Sequence, residues 1–178
     1  RTLMYTDRYD DARDAFQDII KIFGPDKLTH YYLATAFESL DDAENAELHL
    51  RKTLEFDQND PDVLNFLGYL LAEEDEKLKE AEEMIERALA NDPDNGFYTD
   101  SLGWVYYRQG KGKKAVEYIK RAIRLMSSDD AVLRDHLGDA YLLIRRVDNA
   151  IAEWERAHRL DPDLEGVKEK IDKHSKGK

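Results

Sequence analysis

The sequence predicts an all-α fold in which antiparallel helix hairpins stack into a solenoid. Three series of small or modest residues share one period of 34 or 35 residues, which indicates an internal repeat. The first series consists of Ala34, Gly68, Gly103 and Gly138. The second series consists of Ala12, Ala46, Ala81, Ala115 and Ala150. The third series follows the second by seven residues in every unit.

Each period divides into two amphipathic helices of about 14 residues joined by a short turn. In one unit, Leu102, Gly103 and Tyr106 share a face of the first helix, and Ala115 and Ile119 share a face of the second. Turns are marked by three Asp-Pro pairs, at residues 60–61, 92–93 and 161–162, and by the Gly-Lys-Gly segment at 110–112. The unit is therefore a helical hairpin.

Three of the repeated small residues are glycines placed inside predicted helices. A helical glycine costs about 1 kcal/mol relative to alanine, so Gly68, Gly103 and Gly138 require a structural reason. Close helix crossing supplies one, because only a very small residue leaves room for the partner backbone. We expect the two helices of each hairpin to cross at these glycines.

Two segments resemble tetratricopeptide repeats. They are LGWVYYRQGKGKKAVEYIKRAIRL and LGDAYLLIRRVDNAIAEWERAHRLDP, and the resemblance extends over nearly the whole chain. It implies a right-handed superhelix and a protein that holds other proteins on its concave face. No enzyme activity and no cofactor are expected.

A narrower resemblance rests on FLGYLLAEEDEKLKEAEEMIERALANDPDN followed by DSLGWVYYRQG. These segments are similar to bacterial tetratricopeptide proteins, several of which are outer-membrane lipoproteins that act as adaptors. The resemblance implies a bacterial protein of the periplasm or outer membrane, with the cytoplasm as the alternative.

The repeat period sets the expected boundaries within one domain over residues 1–178. A truncated first helix and a full second helix are expected in residues 1–26, so that the chain reads as a fragment with an uncapped edge around Leu3 and Phe16. Residues 165–178 are expected to form a polar capping helix and a basic tail. Full hairpins are expected at 27–60, 61–95, 96–130 and 131–164.

The resemblance also locates a candidate groove, because tetratricopeptide proteins usually bind peptides along their first helices. Trp104 and Tyr107 can either face the groove or pack against the next hairpin. Aromatic rings flanked by acids suit a segment with an apolar anchor and a basic group. The candidate groove residues are Tyr31, Thr35, Glu38, Asn65, Tyr69, Asp100, Trp104, Tyr107, Arg108, Asp135 and Asp139.

One row of the candidate groove contains Tyr31, Asn65, Asp100 and Asp135. Relatives that grip the C-terminal carboxylate of a chaperone use lysine and asparagine at such positions. An acidic row would repel a carboxylate, so chaperone-tail binding is not expected.

Composition and charge exclude several function classes. The net charge of −12 disfavours nucleic-acid binding, and no apolar run reaches the roughly 20 residues that span a bilayer. The chain has no cysteine, and its histidines lack metal-ligand spacing, so no metal site is expected. The histidines, His30, His49, His136, His158 and His174, are expected to be surface or packing residues.

The charge distribution leaves an alternative function open. Residues 38–94 contain 19 acids against 5 lysines and arginines, whereas residues 96–126 contain 7 lysines and arginines against 2 acids. These regions are either solvated helix faces or a bipolar surface that orients a partner. Together with an uncapped first edge, the second interpretation predicts a self-assembling architectural protein.

Overall fold

The computed structural model describes residues 2–75 and 77–175, with side chains from Arg8 onward. Within those ranges the regular structure is entirely helical, which confirms the predicted fold class. Ten helices are present there: α1 (Thr2–Phe23), α2 (Lys27–Ser39), α3 (Ala43–Phe56), α4 (Pro61–Glu73), α5 (Leu78–Asn91), α6 (Gly96–Arg108), α7 (Gly112–Leu125), α8 (Ala131–Leu143), α9 (Val147–Leu160) and α10 (Val167–Ser175).

Neighbouring helices pair into hairpins, and the hairpins stack. The pairs are α2 with α3, α4 with α5, α6 with α7, and α8 with α9, while α1 packs on α2 and α10 packs on α9. The first helices of successive hairpins also touch directly, since α6 contacts both α4 and α8. We call the surface formed by α2, α4, α6, α8 and α10 the first-helix face.

The repeated glycines lie where the two helices of a hairpin cross. A Cβ atom added to Gly103 would lie 2.6 Å from Ile119 Cγ1, and one added to Gly68 would lie 2.6 Å from Ile85 Cγ1. At Gly138 the added atom would overlap the indole of Trp154. The expected close crossing at these three positions is therefore confirmed.

Side-chain caps begin several of the helices. Asp26, Asp60, Asn95 and Asp130 each accept hydrogen bonds from two backbone N–H groups at the start of the following helix. Such caps satisfy donors that have no partner within the helix. They end each inter-hairpin turn at a defined residue, which fixes where the next first helix begins.

The first helix differs from the expectation of a truncated helix followed by a second one. α1 is a single helix of 22 residues that runs to Phe23 and is followed by Gly24 and Pro25. Phe16 is half-buried and stacks on Tyr32 with ring centroids 5.3 Å apart, so it is not part of an exposed edge. The side chain of Leu3 lies outside the described residues.

The chain ends on the short helix α10. Val167 is fully buried and Ile171 is half-buried against the last hairpin, as a capping helix requires. The expected basic tail falls partly at residues 176–178, which lie outside the described part. Between residues 2 and 175, leaving out residue 76, no helix combines the length and the apolar character needed to cross a membrane.

Candidate protein-binding groove

All eleven candidate groove residues lie on the first helices α2, α4, α6 and α8. The structure divides them into an open region between α2 and α4 and a closed region around α6, α8 and α10. The two regions differ in whether a basic side chain of the protein already pairs with their acidic side chains.

The open region is a cavity of about 210 Å³ between α2 and α4. Phe66, Tyr69 and Leu70 supply ring and aliphatic surface, while carboxylates supply the charge. Among the described residues that line the cavity there is no lysine and no arginine. The acidic lining residues are Glu38, Asp41, Glu73 and Glu74.

Glu73 is held in place by two aromatic residues. The indole Nε1 of Trp104 donates a hydrogen bond to Glu73 Oε1, and the Tyr69 hydroxyl also interacts with this carboxylate. Burial raises the pKa of Tyr69, and the charges of Glu73 and Asp100 raise it further. The phenol therefore stays protonated and serves as a donor on the cavity wall.

Glu38 lines the same cavity, and its burial disfavours the anionic form. Burial is the largest cause of a raised pKa at Glu38, and the negative charge of Asp41 acts in the same direction. A nearby cation would favour the ionised form of this carboxyl group.

Trp104 lies in an aromatic stack between first helices rather than open in the groove. Only 8% of its surface is exposed. Its ring centroid lies 4.2 Å from that of His136 and 4.7 Å from that of Tyr107, with interplanar angles of 21° in both cases. Of the two placements that the sequence allows, packing against the next hairpin is the one observed.

His136, which belongs to this stack, also forms a buried pair with Asp100. His136 Nδ1 lies 2.7 Å from Asp100 Oδ2, and each residue is 5% exposed. Burial alone lowers the pKa of His136, but the carboxylate of Asp100, with smaller contributions from Asp135 and Asp139, raises the pKa above its ordinary value. The pair links α6 to α8, and it is a charged contact whenever His136 is protonated.

The acids of α8 are also paired, which corrects the expectation of a free acidic row. Lys170 Nζ lies 2.8 Å from Asp135 Oδ1 and 2.7 Å from Asp139 Oδ2. Because Asp100 is bound to His136, two of the acids expected to repel a carboxylate already have counter-charges.

The remaining candidates have local roles. Tyr31 meets Phe66 edge-on with centroids 6.2 Å apart, and Thr35 Oγ1 donates to the Tyr31 carbonyl oxygen at 3.2 Å. Asn65 Oδ1 is buried and has no hydrogen-bond partner among the residues that the structure describes. The guanidinium of Arg108 lies 3.7 Å from Asp75, outside the cavity lining.

Three residues that the sequence analysis did not include in the groove contact the predicted groove residues. Glu73 lies 35 residues after Glu38, and Lys170 lies 35 residues after Asp135, so both continue rows that the repeat period defines. Extending each row by one more period would have found them. His136 has no such signal, because its role depends on a side-chain pair between α6 and α8.

The histidines expected to be packing or surface residues include three that are buried. His30 and His49 contact each other between α2 and α3, and His136 contacts Asp100. In the described parts of the chain, no group of three or more histidine, aspartate or glutamate side chains is arranged to hold a metal ion.

Comparison with known proteins agrees with this architecture. The family model of the tetratricopeptide repeat matches residues 1–62, 70–131 and 101–165. A TPR repeat-containing protein of Pseudomonas aeruginosa is 32% identical over 137 residues, which cover 77% of this chain. The chain spans 23% of the length of that relative.

Solved structures share the fold at low sequence identity. A thermophilic TPR protein of Thermus thermophilus has a TM-score of 0.78 and 22% identity, covering 97% of this chain and 93% of its own. The MamA fragment from Desulfovibrio magneticus RS-1 has a TM-score of 0.71 and 18% identity, covering 93% of this chain and 96% of its own. From the repeated hairpins, the glycine crossings and the matches along the chain, this protein belongs to the tetratricopeptide repeat family.

Proposed function

We propose that this chain binds a protein segment in the cavity between α2 and α4, and that the segment places a basic side chain beside an apolar one. The tetratricopeptide fold is a protein–protein interaction scaffold, and most residues that line the cavity lie on the first helices α2 and α4. The observation that carries the proposal is the combination, in one cavity, of four carboxylates and four apolar or aromatic residues, with no lysine or arginine among the described lining residues.

The chemistry of the cavity favours arginine or lysine as the basic group. A guanidinium can bridge Glu38 and Glu73, or bind one of them through two hydrogen bonds. Because the charged form of Glu38 is disfavoured by burial, an incoming cation would also remove part of that cost. The binding free energy then includes relief of an unfavourable charge.

The aromatic part of the cavity fits the apolar neighbour of that basic residue. Phe66 and Tyr69 are half-buried and line the cavity beside the acids. Aromatic rings in partly desolvated sites contribute strongly to peptide affinity.

The same cavity argues against a terminal carboxylate as the ligand. The row first expected to repel it loses that role, because Asp100 and Asp135 are paired with His136 and Lys170. Glu38, Glu73 and Glu74 in the cavity take over the role, since they would face the incoming anion without a lining cation.

Selection of a random peptide library on the wild-type chain tests the proposal. We expect enriched sequences to contain arginine or lysine next to an aliphatic or aromatic residue, and their affinity to fall about tenfold in the double variant Glu38→Gln and Glu73→Gln. Glutamine keeps the oxygen that accepts from Trp104 and removes the charge.

The matched control carries Glu117→Gln and Glu155→Gln, two exposed acids on α7 and α9. It changes the net charge by the same amount at a distance from the cavity. Equal affinity loss in both double variants, or enrichment of acidic peptides, would place the binding site elsewhere.

Self-association is a second candidate function, and the exposed surface at the α1–α2 turn favours it. Phe23 is 82% exposed, Ile22 is 72% exposed, and Leu28 follows on the other side of the turn with 59% exposed. Sedimentation velocity at low and high salt tests this function. A self-associating chain would show a larger species that Phe23→Ser reduces, whereas a monomer at every concentration and salt would exclude the idea.

The resemblance to bacterial outer-membrane adaptors supports a further proposal about location. We propose that the protein lies at the bacterial envelope, with the groove presented to an envelope protein. Fractionation of cells that carry the tagged gene tests this location, and recovery in the cytoplasmic fraction alone would contradict it.

A further inference from the structure

The last helix continues the row of groove positions. Asn65, Asp100, Asp135 and Lys170 follow one another at steps of 35 residues, so α10 occupies the place of a further first helix. Its lysine points back onto α8. Lys170 Nζ lies 2.8 and 2.9 Å from the two oxygens of Asp135 and 2.7 Å from Asp139 Oδ2.

The site on α8 that receives the ammonium group contains an indole in addition to its two acids. Asp139 is buried, and its Oδ1 accepts a hydrogen bond of 3.0 Å from Trp154 Nε1, which fixes the carboxylate. Lys170 Nζ also lies 6.0 Å from the centroid of the Trp154 ring. Two carboxylates beside an indole face form a favourable environment for a primary ammonium group.

The helix that supplies this ammonium is otherwise held by Val167, by the half-buried Ile171 and by His174, whose ring centroid lies 5.5 Å from that of Trp154. α10 is nine residues long, and Val167 is the only one of its described residues that is buried. Gly166 precedes it with a φ of +76°, a conformation that glycine adopts easily. Short terminal elements with few buried apolar contacts open at low free-energy cost.

We propose that Asp135 and Asp139 form a second cation-binding site on the first-helix face, which takes a lysine of the bound protein segment, and that α10 closes this site with Lys170 until the segment displaces it. This proposal rests on the proposed function, because it assumes a basic segment on the same face. The acids of α8, which Lys170 pairs with in the unbound chain, and the acids of the α2–α4 cavity then bind successive basic residues of one partner.

A fluorescein-labelled tetralysine amide tests the proposal on the full chain by fluorescence anisotropy at low salt. Lys170→Met keeps the aliphatic part of the side chain and removes its ammonium. If Lys170 occupies the site in about nine of ten unbound molecules, removing its ammonium should tighten probe binding about tenfold.

A matched control separates release of the site from the change in net charge. Lys168→Met removes the same charge from α10, where Lys168 is exposed and pairs with Asp172 of the same helix at 3.1 Å. We expect less than a twofold change for this variant. An equal gain in both lysine variants would overturn the proposal.

Two further variants assign the gain to one site. Adding Asp135→Asn and Asp139→Asn to Lys170→Met should abolish the gain, whereas adding Glu38→Gln and Glu73→Gln should leave it. If Glu38→Gln and Glu73→Gln leave probe affinity unchanged but the gain persists, the binding site proposed in the α2–α4 cavity is wrong and the site proposed on α8 is retained. If the gain survives the asparagine changes, the α8 site is wrong.

Hydrogen–deuterium exchange checks displacement in the wild-type chain and guards against a folding defect in the variants. Saturating probe should accelerate exchange of the α10 amides while α9 keeps its protection. Unchanged or slower exchange in α10 would show that the helix is not displaced and would overturn the proposal that α10 closes the site.

Discussion

The Nδ1 atoms of His30 and His49 lie 2.8 Å apart in the buried interface between α2 and α3. One ring must donate a proton and the other must accept it, so both rings cannot be doubly protonated in this geometry. His49 also stacks on Phe37 with centroids 5.5 Å apart. The pair is therefore part of the packing that joins the first complete hairpin.

This pair predicts that acid weakens the hairpin of α2 and α3. Burial is the main cause of the lowered pKa of His30 and lowers the pKa of His49 from 6.5 to about 4, with His30 and Lys52 adding to the effect at His49. The unfolded chain then binds more protons between pH 6.5 and about 4, so the free energy of unfolding falls as pH drops through that window. We expect a loss of about 2–3 kcal/mol.

Urea unfolding followed by circular dichroism between pH 7.5 and 4 measures the loss. His49→Gln should lower stability at pH 7.5 and flatten the acid dependence. His158→Gln removes a histidine from α9 instead. If that control flattens the curve to the same extent, the pH dependence does not come from the His30–His49 pair.

The Asp100–His136 pair predicts the opposite dependence. Burial opposes the charge on His136, yet the carboxylate of Asp100 raises its pKa above the ordinary value of 6.5. A folded-state pKa above the unfolded one gives stability that is fully present below pH 6.5 and is lost as pH rises through the folded pKa. Asp100→Asn should therefore cost about 3 kcal/mol at pH 6 and progressively less at higher pH.

NMR titration of the His136 ring and urea unfolding at pH 6 and 8.5 measure the two parts of this prediction. Asp94→Asn is the matched control, because it removes an exposed acid in the turn before α6. The assignment fails if the His136 titration keeps its position in Asp100→Asn.

The sequence was sufficient for the fold but only partly for the groove. Gly103 and Gly138 recur at the same phase of the repeat, and the steric need for a small residue depends on the two helices of one hairpin, so periodicity predicts it. The state of Asp135 depends instead on Lys170, which lies on a helix one repeat away. No local pattern shows whether such an acid is paired or free.

Helix crossing at Gly103 predicts that alanine destabilises the protein despite its higher helix propensity. The added Cβ would lie 2.6 Å from Ile119 Cγ1 and 3.1 Å from the Ile119 backbone nitrogen, so the helices must separate. Overpacking typically costs more than the roughly 1 kcal/mol gained in propensity, and we expect Gly103→Ala to lose about 1–2 kcal/mol.

Thermal and urea unfolding of a double-mutant cycle test the cause. Ile119→Ala creates a cavity on its own, but combined with Gly103→Ala it makes room for the new methyl group. The double variant should therefore lose less stability than the sum of the single variants. Strict additivity would mean that the glycine is needed for another reason.

Arg146 is the N-cap residue that precedes α9, and its side chain makes no capping hydrogen bond. Its backbone nevertheless resembles that of a capping residue. Its φ and ψ are −97° and 66°, against −101° and 74° at Asp42, whose carboxylate accepts from Asn45 N at the start of α3. The preceding turns also match, since Asp42 N donates to Phe37 O and Arg146 N donates to Tyr141 O, both at 2.9 Å. Arg146→Asp should therefore supply the missing cap and raise the free energy of unfolding by about 0.5–1 kcal/mol.

Urea unfolding compares this variant with Arg146→Ala, which removes the cation from the helix N-terminus without adding an acceptor. The alanine variant isolates the effect of charge on the helix dipole, and the aspartate variant should exceed it. Asp42→Ala provides the reverse test in α3 and should lose a similar amount, because it removes a cap of the same geometry. If Arg146→Asp is no more stable than Arg146→Ala, the backbone match between the two turns does not extend to capping.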